Sequence, residues 1–151
     1  METLKALNKK QIKEILKNIK EQYGIKNLKL DFIFYKNTKG RIFLLSNEFK
    51  NFDHSEVNIN SLGMYFANLR SKDVRLSIEG SQLVGPLSKK NIIEIDDSNL
   101  RKWLRGEDLL IKKELDGYVL IKNKNDFFGS GKLANNKLLN FIPKERRINV
   151  I

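Results

Sequence analysis

The carboxy-terminal part of this 151-residue chain is a series of short apolar segments, and this series constrains the fold more than any other feature. Turn-forming Gly and Asn residues separate the segments, as expected for short β-strands. The predicted strands cover residues 109–113, 117–122, 127–133, 138–142 and 146–150. Several short strands that surround one short helix are typical of a small barrel.

That short helix is predicted just before the strands. Asp97 or Ser98 is the candidate N-cap, and Leu100, Trp103 and Leu104 recur at the spacing of one helical face. A Gly two residues after the last of them ends the helix. The spacing places the Trp side chain in the core.

The amino-terminal part is predicted to be one helix followed by antiparallel strands. The helix covers residues 8–23, where Asn8 and Gln11 form a capping-box pattern and Gly24 supplies a stop. The Lys residues on its polar face fit a solvated surface, and contact with RNA is the alternative. The predicted strands cover residues 28–35, 41–45 and 74–78.

A change in pattern separates the two parts. Residues 80–86 contain two Gly and one Pro and break the regular structure, so we place a boundary just beyond them. The prediction is an α+β protein with a helix-plus-antiparallel-sheet domain at residues 1–88 and a small β-barrel at residues 89–151. Because the connection is short, we expect the two parts to share an interface.

The composition excludes several classes of chemistry. With no Cys and a single His, the chain has no disulfide, no thiolate nucleophile and no Cys-based or His-rich metal site. We therefore expect no metal and no cofactor. No apolar run approaches the roughly 20 residues of a transmembrane helix, so we expect a cytoplasmic protein without a membrane partner.

The net charge of +11 comes from 29 basic and 18 acidic residues. Lys supplies 22 of the basic residues and Asn occurs 17 times, which indicates a general compositional bias, so the distribution is more informative. Residues 1–26 and 116–151 each carry 7 basic and 3 acidic residues, whereas residues 27–115 carry 15 and 12. The excess lies at both ends, and a basic surface favours polyanionic partners.

Three features that resemble functional motifs are interpreted as structural. Gly129 and Gly131 form a G-x-G without the helix that a nucleotide-binding loop needs, so we expect a bulge or a close backbone approach. The acidic pairs at residues 96–97 and 107–108 flank the short helix, where caps and turns explain them. His54 lies in a polar stretch without an evident nucleophile, which favours a surface loop.

Basic residues around the short helix and near the carboxy terminus are the candidates for binding a polyanion. Arg forms forked contacts with phosphate that Lys cannot match, and it is the less expected choice in a Lys-biased chain. The candidates are Arg101, Lys102, Arg105, Lys132, Lys137, Lys144, Arg146 and Arg147. On a strand, Arg146 and Arg147 would point to opposite faces. Scattered solvated charge is the alternative.

The second part contains WLRGEDL at residues 103–109, GYVLI at 117–121 and FGSGK at 128–132. These segments resemble the PUA domain, the RNA-binding module named after pseudouridine synthases and archaeosine transglycosylases. The ending NFIPKERR, at 140–147, is similar to the PUA-like ends of archaeal proteins grouped with RNA cytosine-C5 methyltransferases. SLGMYF at 61–66 and VRLSI at 74–78 resemble the domain that precedes PUA in large-subunit ribosome-biogenesis factors.

The resemblance implies a pseudo-barrel that binds structured ribosomal or transfer RNA, beside a catalytic domain or within an assembly. RNA-modifying enzymes and ribosome-assembly factors are the implied protein partners. Among the candidates above, the implied RNA face contains Arg105, Lys132, Lys144, Arg146 and Arg147. Methyl transfer in that family needs a catalytic Cys and a methyl-donor fold, and this chain has no Cys and no room for that fold.

We therefore expect non-catalytic RNA binding, without catalytic residues, in ribosome biogenesis or RNA modification. Two alternatives are left open. The first is a protein–protein adaptor that docks onto an RNA-modifying enzyme or a ribosomal assembly, which predicts a large exposed apolar patch. The second is a small enzyme acting on RNA through His54 or the acidic pairs, which requires a cleft where those groups converge.

Overall fold

The computed structural model describes residues 4–50 and 63–148. The described residues form two five-stranded sheets and three α-helices, which confirms the predicted α+β class. The helices are α1 (Lys9–Tyr23), α2 (Ile78–Val84) and α3 (Asp97–Leu104). The first sheet contains β1 (Lys5–Ala6), β2 (Phe32–Lys36), β3 (Arg41–Ser46), β4 (Met64–Arg70) and β5 (Asp73–Leu76). The second contains β6 (Ile92–Glu94), β7 (Leu109–Leu110), β8 (Gly117–Asn123), β9 (Asp126–Ala134) and β10 (Lys137–Asn140).

The two sheets differ in topology. The first is an antiparallel meander in which each strand pairs with the next along the chain. The second has the order β6-β8-β9-β10-β7, and β6 runs parallel to β8 whereas the other pairs are antiparallel. This second sheet curls into a half-barrel, as expected for a PUA pseudo-barrel.

Helix α1 forms where the capping pattern predicted it. Gln11 N donates to Asn8 Oδ1 at 2.8 Å, and Asn8 N donates to Gln11 Oε1 at 2.9 Å, so the capping box is confirmed. Gly24 closes the helix in the left-handed conformation at φ 64°. The apolar face of the helix buries Ile15 and Ile19.

Helix α2 lies where the sequence predicted irregular chain, and that prediction is wrong. Ser77 caps the helix by accepting a hydrogen bond from Gly80 N at 2.9 Å. A methyl group at Gly80 would overlap the carbonyl oxygen of Phe66 in β4, so the Gly allows the helix to pack directly on the sheet. Tertiary packing therefore stabilises a helix in a segment whose local sequence disfavours one.

The G-x-G segment in β9 is a close backbone approach, as predicted. Gly129 has a φ of 88° and donates its N–H to Ser81 Oγ at 2.8 Å. A Cβ at Gly131 would lie 2.6 Å from Leu138 Cδ1 and 2.9 Å from Trp103 Cη2. Trp103 is fully buried, so the second Gly makes room for the largest side chain of the barrel core.

The prediction of a carboxy-terminal strand at residues 146–150 is wrong for the residues of this range that the structure describes. Residues Lys144–Arg146 form a 3₁₀ turn after Pro143, and Ile148 N donates to Leu104 O at 2.9 Å. A strand would have pointed the two neighbouring arginines to opposite faces of a sheet; the turn sets their directions instead. Residues 149–151 lie outside the described residues.

Side chains from both sheets are buried in one apolar cluster. Leu120 in β8 and Phe127 in β9 belong to the same apolar cluster as Ile19 of α1 and Phe66 of β4. A second cluster surrounds Trp103 inside the half-barrel. The expected interface between the two parts is therefore continuous with the core of the first sheet.

The connection between the sheets is bonded to the end of α1. Lys89 N and Lys90 N both donate to Tyr23 O, at 2.8 and 3.2 Å, and Asn91 Nδ2 donates to Gln22 O at 2.5 Å. The predicted boundary at residue 88 falls in this connection, and the division into two domains stays a prediction. Across the described residues, no helix has the length and apolar character needed to cross a membrane.

Candidate RNA interface

The first group of predicted binding residues lies on α3. Asp96 Oδ1 caps this helix by accepting from Asn99 N at 2.8 Å, and Trp103 anchors its opposite face in the core. Arg101 and Lys102 are exposed in the last turn, where their charge is favourable to the helix dipole. Within residues 4–50 and 63–148, no ion pair involves either side chain. Both charges are therefore available to a phosphate.

Two further candidates are paired with carboxylates next to α3. Arg105 Nε lies 2.9 Å from Glu107 Oε2, and Lys137 Nζ lies 3.7 Å from Asp108 Oδ2. Asp108 also accepts from Asn140 N at 2.8 Å. The acidic pair at 107–108 thus has a structural role, as predicted, but it forms ion pairs rather than caps or turns, and it offsets part of the positive charge of this group.

The pair of acidic residues at 96–97 is structural as well. Asp96 is the N-cap of α3, and Asp97 Oδ1 accepts from Asn123 Nδ2 at 3.1 Å. Lys124 Nζ lies 3.8 Å from Asp97 Oδ2. In the described part of the chain, no three His, Asp or Glu side chains gather in a way that could hold a metal ion. His54 lies outside the described residues.

The turn at the carboxy terminus holds its two arginines against different parts of the molecule. Arg146 forms an ion pair with Glu79 at the start of α2. Arg147 Nε donates to Ile142 O at 3.1 Å, and its guanidinium covers Gly106, where a methyl group would overlap it. The structure therefore places Arg147 beside the end of α3 and directs Arg146 to the first part of the chain.

Lys132 belongs to a line of side chains that sequence reasoning did not assemble. In the β8–β9 ladder Lys132 lies opposite Tyr118, and its Nζ is 5.4 Å from the centroid of the Tyr ring. The ring of Phe141 lies 6.0 Å from that of Tyr118, at an interplanar angle of 50°. Arg75 Cζ lies 4.3 Å from the centroid of Phe141. We call Arg75, Phe141, Tyr118 and Lys132 the cation–aromatic row.

The first sheet positions Arg75 in this row. Val74 and Leu76 are buried, so the alternation of β5 directs Arg75 out of the core. The end of α1 fixes the edge of β5: Gln22 accepts from Val74 N at 2.8 Å, and the Tyr23 hydroxyl donates to Val74 O at 2.8 Å. Burial raises the pKa of the Tyr23 phenol, which keeps this donor protonated.

A groove runs beside the row, between the start of α2 and the segment that follows β10. Its lining includes Arg75, Glu79, Phe141, Pro143 and Arg146, and we call it the junction groove. The Glu79–Arg146 ion pair lies across it and joins the two parts of the chain. The groove thus combines two guanidinium groups and one carboxylate with an aromatic wall.

Comparison with known proteins identifies the second part of the chain. Residues 90–148 match the family model described as the methyltransferase RsmF PUA domain. Over this stretch the chain is similar to a PUA domain, and we call residues 90–148 the PUA domain. The match confirms the resemblance to the PUA domains grouped with RNA cytosine-C5 methyltransferases.

Related proteins carry the same kind of domain within longer chains. The ribosomal RNA small subunit methyltransferase F of Aeromonas salmonicida is 23% identical over 113 residues, which cover 70% of this chain and 24% of that protein. Proteins of the same name from Vibrio vulnificus and Vibrio cholerae are 23% and 25% identical over 90 and 91 residues, covering 60% of this chain and 19% of theirs. This chain therefore spans a quarter or less of the length of these relatives.

The PUA domain contains all eight predicted binding residues, which lie between residues 101 and 147. It also contains Tyr118, Lys132 and Phe141 of the cation–aromatic row, whereas Arg75 comes from the preceding sheet. Sequence reasoning found Lys132 from its charge. Arg75, Tyr118 and Phe141 were missed because their proximity depends on the pairing of strands and on how the first sheet packs against the PUA domain.

Proposed function

We propose that this chain binds structured RNA without changing it chemically, as the RNA-binding part of ribosomal RNA modification or ribosome assembly in the cytoplasm. The observation that carries the proposal is the match of residues 90–148 to the PUA domain of a ribosomal RNA methyltransferase. The same stretch exposes cationic side chains without an ion-pair partner among the described residues. A PUA domain with cationic side chains that are not in ion pairs is suited to binding a folded polyanion such as structured RNA.

The proposed mechanism is electrostatic. Lys and Arg side chains neutralise phosphates and release the counterions condensed on the RNA, which makes affinity fall as salt rises. Duplex RNA offers its backbone and 2′-hydroxyls rather than readable base edges, so shape and phosphate contacts suit it best. The exposed candidates without an ion pair in the described part of the chain are Arg101, Lys102, Lys132 and Lys144.

The non-catalytic assignment rests on the residues present. The relatives are named as methyltransferases, but the matched stretch covers 24% of the first relative and 19% of the others. The 151 residues contain no Cys, so they do not supply the nucleophile that the resemblance implies for methyl transfer. In this proposal the chain contributes RNA binding, and an RNA-modifying enzyme is its proposed partner.

The test measures RNA affinity against salt for two charge-matched variants. Arg101→Gln with Lys102→Gln removes two exposed charges from α3, and Lys26→Gln with Lys29→Gln removes two from the loop after α1. We expect the α3 variant to bind one structured RNA more weakly, with a salt slope shallower by about 2, since each lost phosphate contact lowers it by about 1. We expect the loop variant to match the wild type.

These variants avoid the terminal arginines for a physical reason. Arg146 and Arg147 pair with Glu79 and with the Ile142 carbonyl, so replacing them would disturb packing as well as binding. Equal affinities and slopes for the wild type and the α3 variant would refute the assigned face. Salt-independent binding by the wild type would refute the electrostatic mechanism, and undetectable binding would refute RNA binding itself and favour the adaptor alternative.

A further inference from the structure

We propose that the cation–aromatic row and the junction groove beside it form a stacking site for one unpaired nucleotide of the bound RNA. The proposal rests on the proposed function and names a class of ligand for it: structured RNA that presents an extruded or bulged base. Phosphate contacts on α3 do not require such a base. The stacking site therefore adds a feature that electrostatic binding alone does not predict.

The composition of the row is the first argument. A guanidinium, two aromatic rings and an ammonium follow one another, with contacts of 4.3, 6.0 and 5.4 Å between successive members. RNA-binding sites for single-stranded segments combine cations with aromatic rings and guanidinium planes on which bases stack. The row offers both kinds of group on one surface.

The position of the row is the second argument. Tyr118 lies two residues before Leu120 in β8, on the same face of the strand. Leu120 is fully buried in the shared core, whereas Tyr118 and Phe141 are only half-buried. The row therefore lies at the rim where the contact between the two parts of the chain opens to solvent. Two aromatic rings with exposed area at such a rim are available to a flat ligand.

The charge balance is the third argument. Within residues 4–50 and 63–148, neither Arg75 nor Lys132 forms an ion pair. The acidic neighbours are Asp73, exposed on the same face of β5, and Glu79, whose charge is offset by Arg146. The guanidinium of Arg75 thus keeps its charge for a phosphate and its plane for a base.

Duplex RNA cannot use this site, because its base faces are covered by their neighbours in the stack. An unpaired base has a free face, and every base has one, so the site would select for an unpaired nucleotide without strict sequence preference. The simpler reading is that Arg75 and Phe141 only hold the two parts of the chain together. That reading predicts an effect on stability and none on the choice between RNAs.

The experiment compares two hairpin RNAs that differ by one bulged nucleotide, replaced by 2-aminopurine in a fluorescent copy. The wild-type chain of 151 residues is expected to bind the bulged hairpin about tenfold more tightly than the paired one, and to quench 2-aminopurine. Phe141→Leu keeps the apolar bulk and removes the ring. It is expected to lose the tenfold preference and the quenching while its affinity for the paired hairpin stays unchanged.

Two further variants make the result decisive. Arg75→Lys keeps the positive charge and removes the planar guanidinium on which a base could stack, so it should lose the preference for the bulged hairpin. This variant tests the site even if Phe141→Leu fails to fold. Phe128 of β9 is half-buried, as Phe141 is, but it lies outside the row. Phe128→Leu should therefore keep the preference for the bulged hairpin. Equal binding of both hairpins by the wild type, or a preference retained in Arg75→Lys, would overturn the stacking site. Binding of neither hairpin would instead refute the proposed function.

Discussion

Arg146 is held by Glu79, a carboxylate from outside the PUA domain. The sequence identified Arg146 as a candidate from its type and position, but its partner lies 67 residues away along the chain. No local pattern indicates such a pair. At the scale of single residues, charge and spacing therefore identified the eight basic candidates, of which Arg147 is half-buried and the others are exposed. They could not predict which of those charges are already neutralised.

Replacing Glu79 tests whether its carboxylate keeps the charge of Arg146 from contributing to RNA binding. Glu79→Gln removes the carboxylate and leaves Arg146 in place, so we expect affinity for structured RNA to rise and the salt slope to steepen by about 1. The side chains of Arg146 and Glu79 are 47% and 34% exposed, so the free energy of unfolding should fall by less than about 1 kcal/mol. Binding across a salt series and urea denaturation measure the two effects. Unchanged or weaker binding would show that Arg146 does not contact RNA.

Local hydrogen bonds explain which elements the sequence could predict. The capping box of α1 joins residues three positions apart, and the cap of α3 does the same. The capping box of α1 was predicted from the order of residue types, whereas the N-cap of α3 is Asp96 and not the predicted Asp97 or Ser98. The position of α2 depends instead on its packing against β4 and β9, and the cation–aromatic row depends on contacts between sheets. Those contacts join residues that are distant in sequence, and a single sequence does not specify them.

A substitution in α2 separates local propensity from packing. Gly80→Ala should stabilise the helix by about 1 kcal/mol if intrinsic propensity decided the outcome. Because the new methyl group would overlap the carbonyl oxygen of Phe66, we expect a loss of about 1–3 kcal/mol instead. Gln82→Ala, at an exposed position of the same helix, should change stability by no more than about 0.5 kcal/mol. Chemical denaturation that shows Gly80→Ala to be stabilising would contradict this packing.

At the scale of the whole molecule, the two parts of the chain are connected by a shared core. Leu120 and Phe127 of the PUA domain are buried in the cluster that α1 and the first sheet form. The change in pattern near residue 86 and the short connection predicted two parts that share an interface. They did not reveal that side chains of the second part complete the core of the first, because this depends on which face of β8 and β9 meets the first sheet.

Trp103 reports directly on this coupling, because it is the only Trp of the chain and lies in the second core cluster. Ile19→Ala in α1 leaves a cavity in the first cluster and should cost about 2–5 kcal/mol. If the clusters unfold together, Trp103 fluorescence and far-ultraviolet circular dichroism will shift to the same lower midpoint. A Trp103 midpoint equal to that of the wild type would show instead that the PUA domain unfolds independently.

The most direct test of the central claim is the salt dependence of wild-type binding to one structured RNA. Fluorescence anisotropy between about 50 and about 200 mM salt gives the slope of log affinity against log salt concentration. The four exposed candidates without an ion pair among the described residues, Arg101, Lys102, Lys132 and Lys144, predict a linear fall with a slope of about −3. A flat line, or no binding at the lowest salt concentration, would contradict the claim that this PUA domain binds RNA through its phosphates.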